Sequence, residues 1–413
     1  FPVALRLEER YRVEHVGAAG ERVRSFDALT HTAGVDVTRH GSLRASCEYS
    51  LREFHGYAGL PKTRTELGKL FVSQNVRSGT VEYELSHNVT SLQSESRVKN
   101  IVYVGAGRGH YDSTGTFRGR GDYEVQILDL DSAALTADAA TVATLAIRPF
   151  RATGDGAGVG PYLRSLTAST FFRSTGLIKN APGVFSLLLS PAYSETEEAL
   201  RGSSLFREEL ETTSPARRFG VRYRYERSGN LNHQYENLLE KTLEESHALR
   251  IRTEAHSSLT VELEQTWRAR SRKAEVSSGV SGEGRTAGPE TVVDVRYRPL
   301  RSVEAGLFGS FSVQTDVSTQ RNLQVSKLSP SVTYAGDGST RARLMVTVSA
   351  FKGDMSVLNV TSGGGFVEPN RSEIVFSLDH RAGQHLTLSG SVSSRRTTGS
   401  SVTDGRVEAR ANF

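Results

Sequence analysis

"LTVELEQTWRA", Leu259–Ala269, sets two chemistries on alternate residues. Leu259, Val261, Leu263, Gln265, Trp267 and Ala269 hold one set of positions. Glu262, Glu264 and Arg268 hold the other, and Arg270 continues it. Successive side chains of an extended chain point to opposite sides, so this stretch predicts a strand with one apolar and one charged face. The same pattern precedes and follows it. "RRFGVRYRYER" alternates Phe219, Val221, Tyr223 and Tyr225 with Arg222, Arg224 and Glu226. "HALRIRTEAH" sets Leu249, Ile251 and Thr253 against Arg250, Arg252 and Glu254, and "VVDVRYR" sets Val293, Val295 and Tyr297 against Asp294, Arg296 and Arg298.

The alternation continues through "VEAGLFGSFSV", "LQVSKLSPSVTY", "RARLMVTVSAF", "SEIVFSLDH" and "HLTLSGSVSSR". The first half is less regular. "FPVALRLEERYRV", "SLRASCEYSLREF" and "GTVEYELSHNV" read as strands, followed by "GDYEVQI", "ATVATLAIRPF" and "PYLRSLTASTFF". The sum is an all-β, antiparallel up-and-down arrangement of roughly 14–18 strands. Residues 217–413 carry the clear strands. Residues 1–216 carry the looser ones, and we expect a single domain over 1–413.

The connections alternate in kind. "HSS", "PLRS", "AGDGS" and "RAGQ" are tight. "GNLNHQYENLLEKTLEES", "KAEVSSGVSGEGRTAGPE", "GDMSVLNVTSGGGFVEPN" and "SSRRTTGSS" are longer or polar and predict loops on the other side. Within the first of these, Leu231, Tyr235, Leu238, Leu239, Thr242 and Leu243 follow a helical spacing, and "SETEEALRG" pairs Ser194 with Glu197 as a capping box. The first predicts a short amphipathic helix in the loop or a strand edge, and the second a helical turn.

Composition sharpens the class. Hydrophobic residues make up only 37% of the chain and mean hydropathy is −0.38, low for a dry core. The apolar residues are nonetheless regularly placed, which argues against disorder. The longest apolar stretch, around "VFSLLL" (Val184–Leu189), falls far short of a helical span of about 20 residues. Cys47 is the single cysteine, so no internal disulfide and no multi-cysteine metal site is expected. The net charge of +5 is spread along strands where Arg and Glu balance, a pattern unlike a nucleic-acid surface. We expect no catalytic, cofactor or metal residues and no enzyme activity.

A charged face this regular, Arg222, Arg224, Arg250, Arg252, Glu254, Glu262, Glu264, Arg268, Arg270, Asp294, Arg296 and Arg298, cannot fill a dry interior. A transmembrane β-barrel, with apolar side chains toward lipid and these charges toward a wet lumen, accommodates both faces. The end of the chain, "GRVEARANF", fits that arrangement, with Val407, Ala409, Ala411 and Phe413 in phase. It resembles the final strand of bacterial outer-membrane β-barrels, which ends on an aromatic residue and is read by the barrel-assembly machinery. The resemblance implies an outer-membrane location, a lipid bilayer and that machinery as partners, protein partners in a larger complex, and a role as pore, translocation channel or structural anchor. The alternative is a secreted or surface-attached all-β protein that builds a fibre or larger assembly.

The opening "FPVALRLEERYRV" lacks Met and a signal-type apolar region, so we expect a mature product or a fragment, including the C-terminal part of a larger barrel. In 103–125 a glycine-rich stretch carries Gly105, Gly107 and Gly109 but no helix or Lys-Ser/Thr to make a phosphate loop. It predicts a hairpin with Tyr111, Phe117 and Tyr123 pinning two short arms.

Overall fold

The computed structural model describes residues 3–16, 23–38, 42–56, 63–76, 79–111, 117–151, 160–179, 199–214, 218–235, 238–276, 281–336, 339–354, 357, 371–383, 386–397 and 400–411. They form one antiparallel sheet of twenty strands. The first half comprises β1 (Val3–Val16), β2 (Val23–Thr38), β3 (Leu43–Gly56), β4 (Thr63–Val76) and β5 (Val81–Tyr103). Then come the short β6 (Gly109–Tyr111) and β7 (Phe117–Gly121), followed by β8 (Tyr123–Ile147), β9 (Thr167–Lys179) and β10 (Ala199–Thr213). A four-residue helix, α1 (Pro161–Arg164), precedes β9. The second half comprises β11 (Phe219–Tyr235), β12 (Leu238–His256), β13 (Leu259–Val276), β14 (Ser281–Leu300) and β15 (Val303–Asp316). It ends with β16 (Asn322–Ala335), β17 (Thr340–Gly353), β18 (Arg371–Ala382), β19 (Leu386–Arg396) and β20 (Ser401–Ala411).

Setting aside β6 and β7, eighteen long strands run up and down, each paired with its sequence neighbours. This is the antiparallel meander that alternation predicts. An even number of strands returns the last one to the rim where the first begins. Among the described residues β1 is paired only with β2 and β20 only with β19, so each keeps one open edge.

Three expectations need correction. The proposed loop 229–246 is the hairpin of β11 and β12, with Gly229 opposite Leu243 and only residues 236–237 between the strands. Its helical spacing is also a strand spacing. Leu231, Tyr235, Leu239 and Leu243 are four apart, which is a full helical turn and an even number of strand steps. The proposed loop 273–290 is likewise strand at both ends, with Lys273 opposite Glu283 and only residues 277–280 between β13 and β14. "PYLRSLTASTFF" begins with α1, Pro161 opening the helix as its fixed φ favours, before the chain turns into β9. The Ser194/Glu197 segment, Phe413 and most of 353–370 lie outside the described residues.

In the glycine-rich stretch the short β6 and β7 pair antiparallel. Gly109 faces Gly121 and Tyr111 faces Phe117, while Tyr103 and Tyr123 meet edge-on with centroids 5.3 Å apart. A Cβ on Gly109 would sit 2.2 Å from the Tyr123 carbonyl oxygen, and one on Gly121 would sit 2.1 Å from that of Tyr111. Only glycine lets the backbones approach so closely. This tip crowns β5 and β8, the two longest strands, of 23 and 25 residues. β4 follows β5 only as far as Thr90. There the Ser91 hydroxyl accepts the Glu66 backbone N–H at 2.6 Å and satisfies the donor that the departing strand leaves. Beyond it, Arg97 of β5 forms a parallel backbone bridge with Tyr235 of β11, although β8, β9 and β10 lie between those two strands in the sheet.

Candidate functional site

The register assigns every strand residue to one of two faces, and those faces are the site. From β11 to β14 one face carries Val221, Tyr223, Leu249, Ile251, Val261, Leu263, Val293 and Val295, which stand opposite one another along the ladders. It continues through Leu307, Val332, Leu344, Phe376 and Val392 to Val407. In the other direction it runs through Phe206, Phe172, Leu85, Leu70 and Val35 to Leu5. Its large side chains are open to the surroundings: Leu263 is 41% exposed, Phe376 43% and Val392 49%. The most exposed lie on the two open edges, Leu7 at 86% and Val407 at 88%.

This apolar surface is a belt of limited height. On β13 it runs from Leu259 to Trp267, about 27 Å of extended chain at about 3.4 Å per residue. Aromatic side chains bound it: Phe219, Tyr297 and Tyr334 toward the rim marked by Ser214, Arg301 and Gly336, and Tyr225, Trp267 and Phe311 toward the opposite rim. Tyr223 hydroxyl and His247 Nδ1 lie 2.8 Å apart at that upper boundary, and the Tyr225 and His247 rings are 4.9 Å apart. Beyond it the same face mixes Leu239 and Leu243 with the charged Lys241, Glu245, Lys273 and Glu275, and Lys273 pairs with Glu275. The distal halves of β11–β14 therefore stand beyond the belt. They are the segments whose polarity reads as loop in the sequence.

The other face gathers every charged residue that alternation singles out: Arg222 and Arg224 on β11, Arg250, Arg252 and Glu254 on β12, Glu262, Glu264, Arg268 and Arg270 on β13, and Asp294, Arg296 and Arg298 on β14. They are stitched together. Arg250 reaches Glu262 at 2.5 Å, Arg252 reaches Glu254 at 3.1 Å, and Arg268 lies 3.2 Å from Glu244 and 3.8 Å from Glu290. Arg222 meets Glu211 on β10 at 3.1 Å, and Arg298 meets Glu304. Arg224 and Glu264 approach to 3.9 Å across the intervening β12, where small Ala248 leaves room beneath them. These pairs are half-exposed, so each contributes little to stability, about 0–1 kcal/mol. Their effect is to hold fixed charges of both signs on one surface.

The sequence reading misses Glu211, Glu244, Glu290, Lys327, Arg341 and Arg343 on this face. The last two are legible in "RARLMVTVSAF", where they alternate with Ala342 and Leu344. Val407 and Ala409 of the terminal strand lie on the apolar face, opposite Gly390 and Leu388, and Ala411 lies opposite Leu386. At the turn after β15, Asp316 accepts from the Ser318 hydroxyl at 2.6 Å and the Ser318 and Thr319 N–H groups at 2.8 and 3.3 Å. The Ser318 hydroxyl, foremost, holds that carboxyl below the usual carboxylate range.

Among the described residues no helix is long and apolar enough to cross a membrane, and no group of three His, Cys, Asp or Glu residues could hold a metal ion. No protein-family model matches the sequence, and comparison with curated proteins gives no significant match. Solved structures that align with this one include the FrpB iron transporter from Neisseria meningitidis, at 10% identity and a TM-score of 0.40, covering 89% of this chain and 59% of that one. The ferric citrate transporter FecA aligns at 11% identity and a TM-score of 0.41, covering 98% of this chain and 63% of that one. A mutant of Rh. blastica porin aligns over the whole of both chains, at 10% identity and a TM-score of 0.25. The chain thus spans about three fifths of the length of the two transporters.

Proposed function

We propose that this chain is a transmembrane β-barrel of the bacterial outer membrane whose charged face lines a water-filled lumen, acting as a pore, translocation channel or structural anchor. The belt carries this reading. A band of outward apolar side chains about 27 Å long on β13 at about 3.4 Å per residue, or roughly 20 Å tall once the strand is tilted by about 40°, edged by aromatic side chains on both sides, is what a bilayer requires of a barrel and water does not. The strands agree with it: β18, β19 and β20 have 12, 11 and 11 residues, against about 9–11 needed to cross obliquely. In lipid the open edges of β1 and β20 must find partners. An odd-to-even order makes these two edges antiparallel, so they are suited to each other. The apolar phase of β20, Val407, Ala409 and Ala411 with Phe413, is the surface we assign to the assembly machinery, and Val407→Asp should reduce the correctly assembled fraction in cells.

The experiment is to purify the full chain and test three properties together. A barrel stays monodisperse only with detergent, migrates differently before and after boiling, and gives stepwise conductance in planar bilayers. The chain's excess of Lys and Arg over Asp and Glu should tilt the reversal potential under a salt gradient toward anions. A protein that stays dispersed without detergent and polymerises would instead favour the secreted structural reading.

A further inference from the structure

We propose that a cleft of about 760 Å³ on the charged face, between β14 and β17 near Arg301 and Ala335, binds a phosphate-type oxyanion. The cleft follows from side-chain size. β15 and β16 supply a floor of Gly306, Ser329, Ser331 and Thr333, while β14 and β17 raise arginines on either side. A Cβ on Gly306 would lie 2.8 Å from Ser331 Oγ, so glycine keeps that floor low.

The charges in the cleft do not cancel. Its carboxylates are already engaged: Asp294 holds Arg296 at 2.6 Å, Glu304 holds Arg298, and Glu373 holds Arg371 at 2.6 Å. Lys327, Arg341 and Arg343 line the same space and, among the described residues, have no carboxylate within 4.0 Å. Arg343 turns toward Met345 Sδ at 3.8 Å, and Lys327 lies 5.7 Å from the Phe308 ring centroid. Like charges gathered against a protein wall repel one another, and a multiply charged anion between them removes that penalty. The guanidinium fork matches phosphate oxygens two at a time, an ammonium adds a mobile donor, and the floor hydroxyls supply further O–H donors. A cation or an apolar molecule would gain none of this.

The inference rests on the charged face being open to water, as the proposed lumen would be. Inorganic pyrophosphate is titrated into the full chain in neutral, phosphate-free detergent, with an arginine-selective dicarbonyl reagent reporting which guanidinium groups become protected. Saturable binding, protection of Arg341 and Arg343, and at least tenfold weakening in Lys327→Gln/Arg343→Gln are expected. Arg6→Gln/Arg10→Gln, which removes as much charge from the same face at β1, should leave binding within about twofold. Protection mapping on the unaltered chain keeps the test valid if the variant does not assemble. A second arm replaces detergent by bilayers of phosphatidylcholine with or without phosphatidylglycerol: protection only with phosphatidylglycerol assigns the site to a lipid headgroup, and protection by pyrophosphate to a free solute. Protection by neither, or equal weakening by both variants, overturns the site. A chain that conducts yet shows no protection loses the site and keeps the pore.

Discussion

The two halves of the sheet share one topology but use its apolar face differently. From β11 to β20 the face is a continuous belt of Val, Leu, Ile and aromatic side chains, many of them more than 40% exposed. From β3 to β10 the corresponding positions include Gly68, Ala137, Ala139, Ser174, Gly176 and Gly202, and several are closed off. Val89 and Ala137 are fully buried, packed with Ala139, Ile178, Tyr49 and Leu70. Beside them His87, 2% exposed, has its Nδ1 2.6 Å from Thr141 Oγ1. Charges also enter this half of the face, with Glu66 opposite Leu51 and Glu208 opposite Tyr225. A face that meets one uniform solvent repeats one kind of residue, whereas a face that also packs against itself must vary size and add satisfied polar groups.

The largest expected effect separates the halves by solvent. Leu263→Arg, at the middle of the uniform belt, should cost roughly 2–4 kcal/mol near the bilayer midplane, measured by reversible unfolding in vesicles. Glu262→Gln, next in sequence but on the other face, should change stability far less. Equal costs would erase the distinction between faces. Next come the contacts peculiar to the first half. Thr141→Val withdraws the partner hydroxyl from buried His87, and a cost of about 1–3 kcal/mol is expected for a polar group left short of a hydrogen bond; an unchanged midpoint would show that other groups compensate.

Gly121→Ala should act locally. Its new Cβ meets the Tyr111 carbonyl, so the tip 103–125 should become protease-sensitive by about 1–3 kcal/mol of local opening, while heat-modifiable migration stays as in the parent chain. Loss of that migration would tie the tip to the whole sheet. The smallest effect is at the turn after β15. The lowered carboxyl of Asp316 contributes stability that is present above the unfolded carboxyl range and is lost as pH falls through its own depressed value. Protection of the Ser318 and Thr319 amides, taken relative to their intrinsic exchange rates at each pH, should therefore fall only in acid, and Asp316→Asn should flatten that dependence; a profile unchanged in the variant would rule out the carboxylate as its cause.

How far the sequence reveals this fold depends on the same contrast. "LTVELEQTWRA" discloses strand, face and charge at once because large apolar and charged side chains alternate there almost without interruption. The alternation weakens in β8, where Ala137, Ala139 and Ala143 replace large residues, so two short strands are read where one runs from Tyr123 to Ile147. Polarity misleads in β12–β14. Lys241, Lys273 and Glu275 sit on strands that extend past the belt, where they interrupt Leu239 and Leu243 on the same face, so the period-2 signal weakens although the backbone ladder continues. Glycine misleads in β14 for a different reason. At Gly288 a Cβ would fall 1.7 Å from the Val313 carbonyl oxygen, so glycine permits a close strand approach where it suggests a loop. The fixed charges are legible individually; their ion-pair partners on neighbouring strands require the register.

The central claim is that one face of this sheet meets lipid and the other meets water. Nitroxide labels at single cysteines replacing Leu263 and Glu262, in a Cys47→Ser background in vesicles, test it directly. Oxygen, which concentrates in lipid, should relax the label at 263, and a water-soluble nickel complex should relax the label at 262. Nickel access at 263 together with oxygen access at 262 would contradict the account.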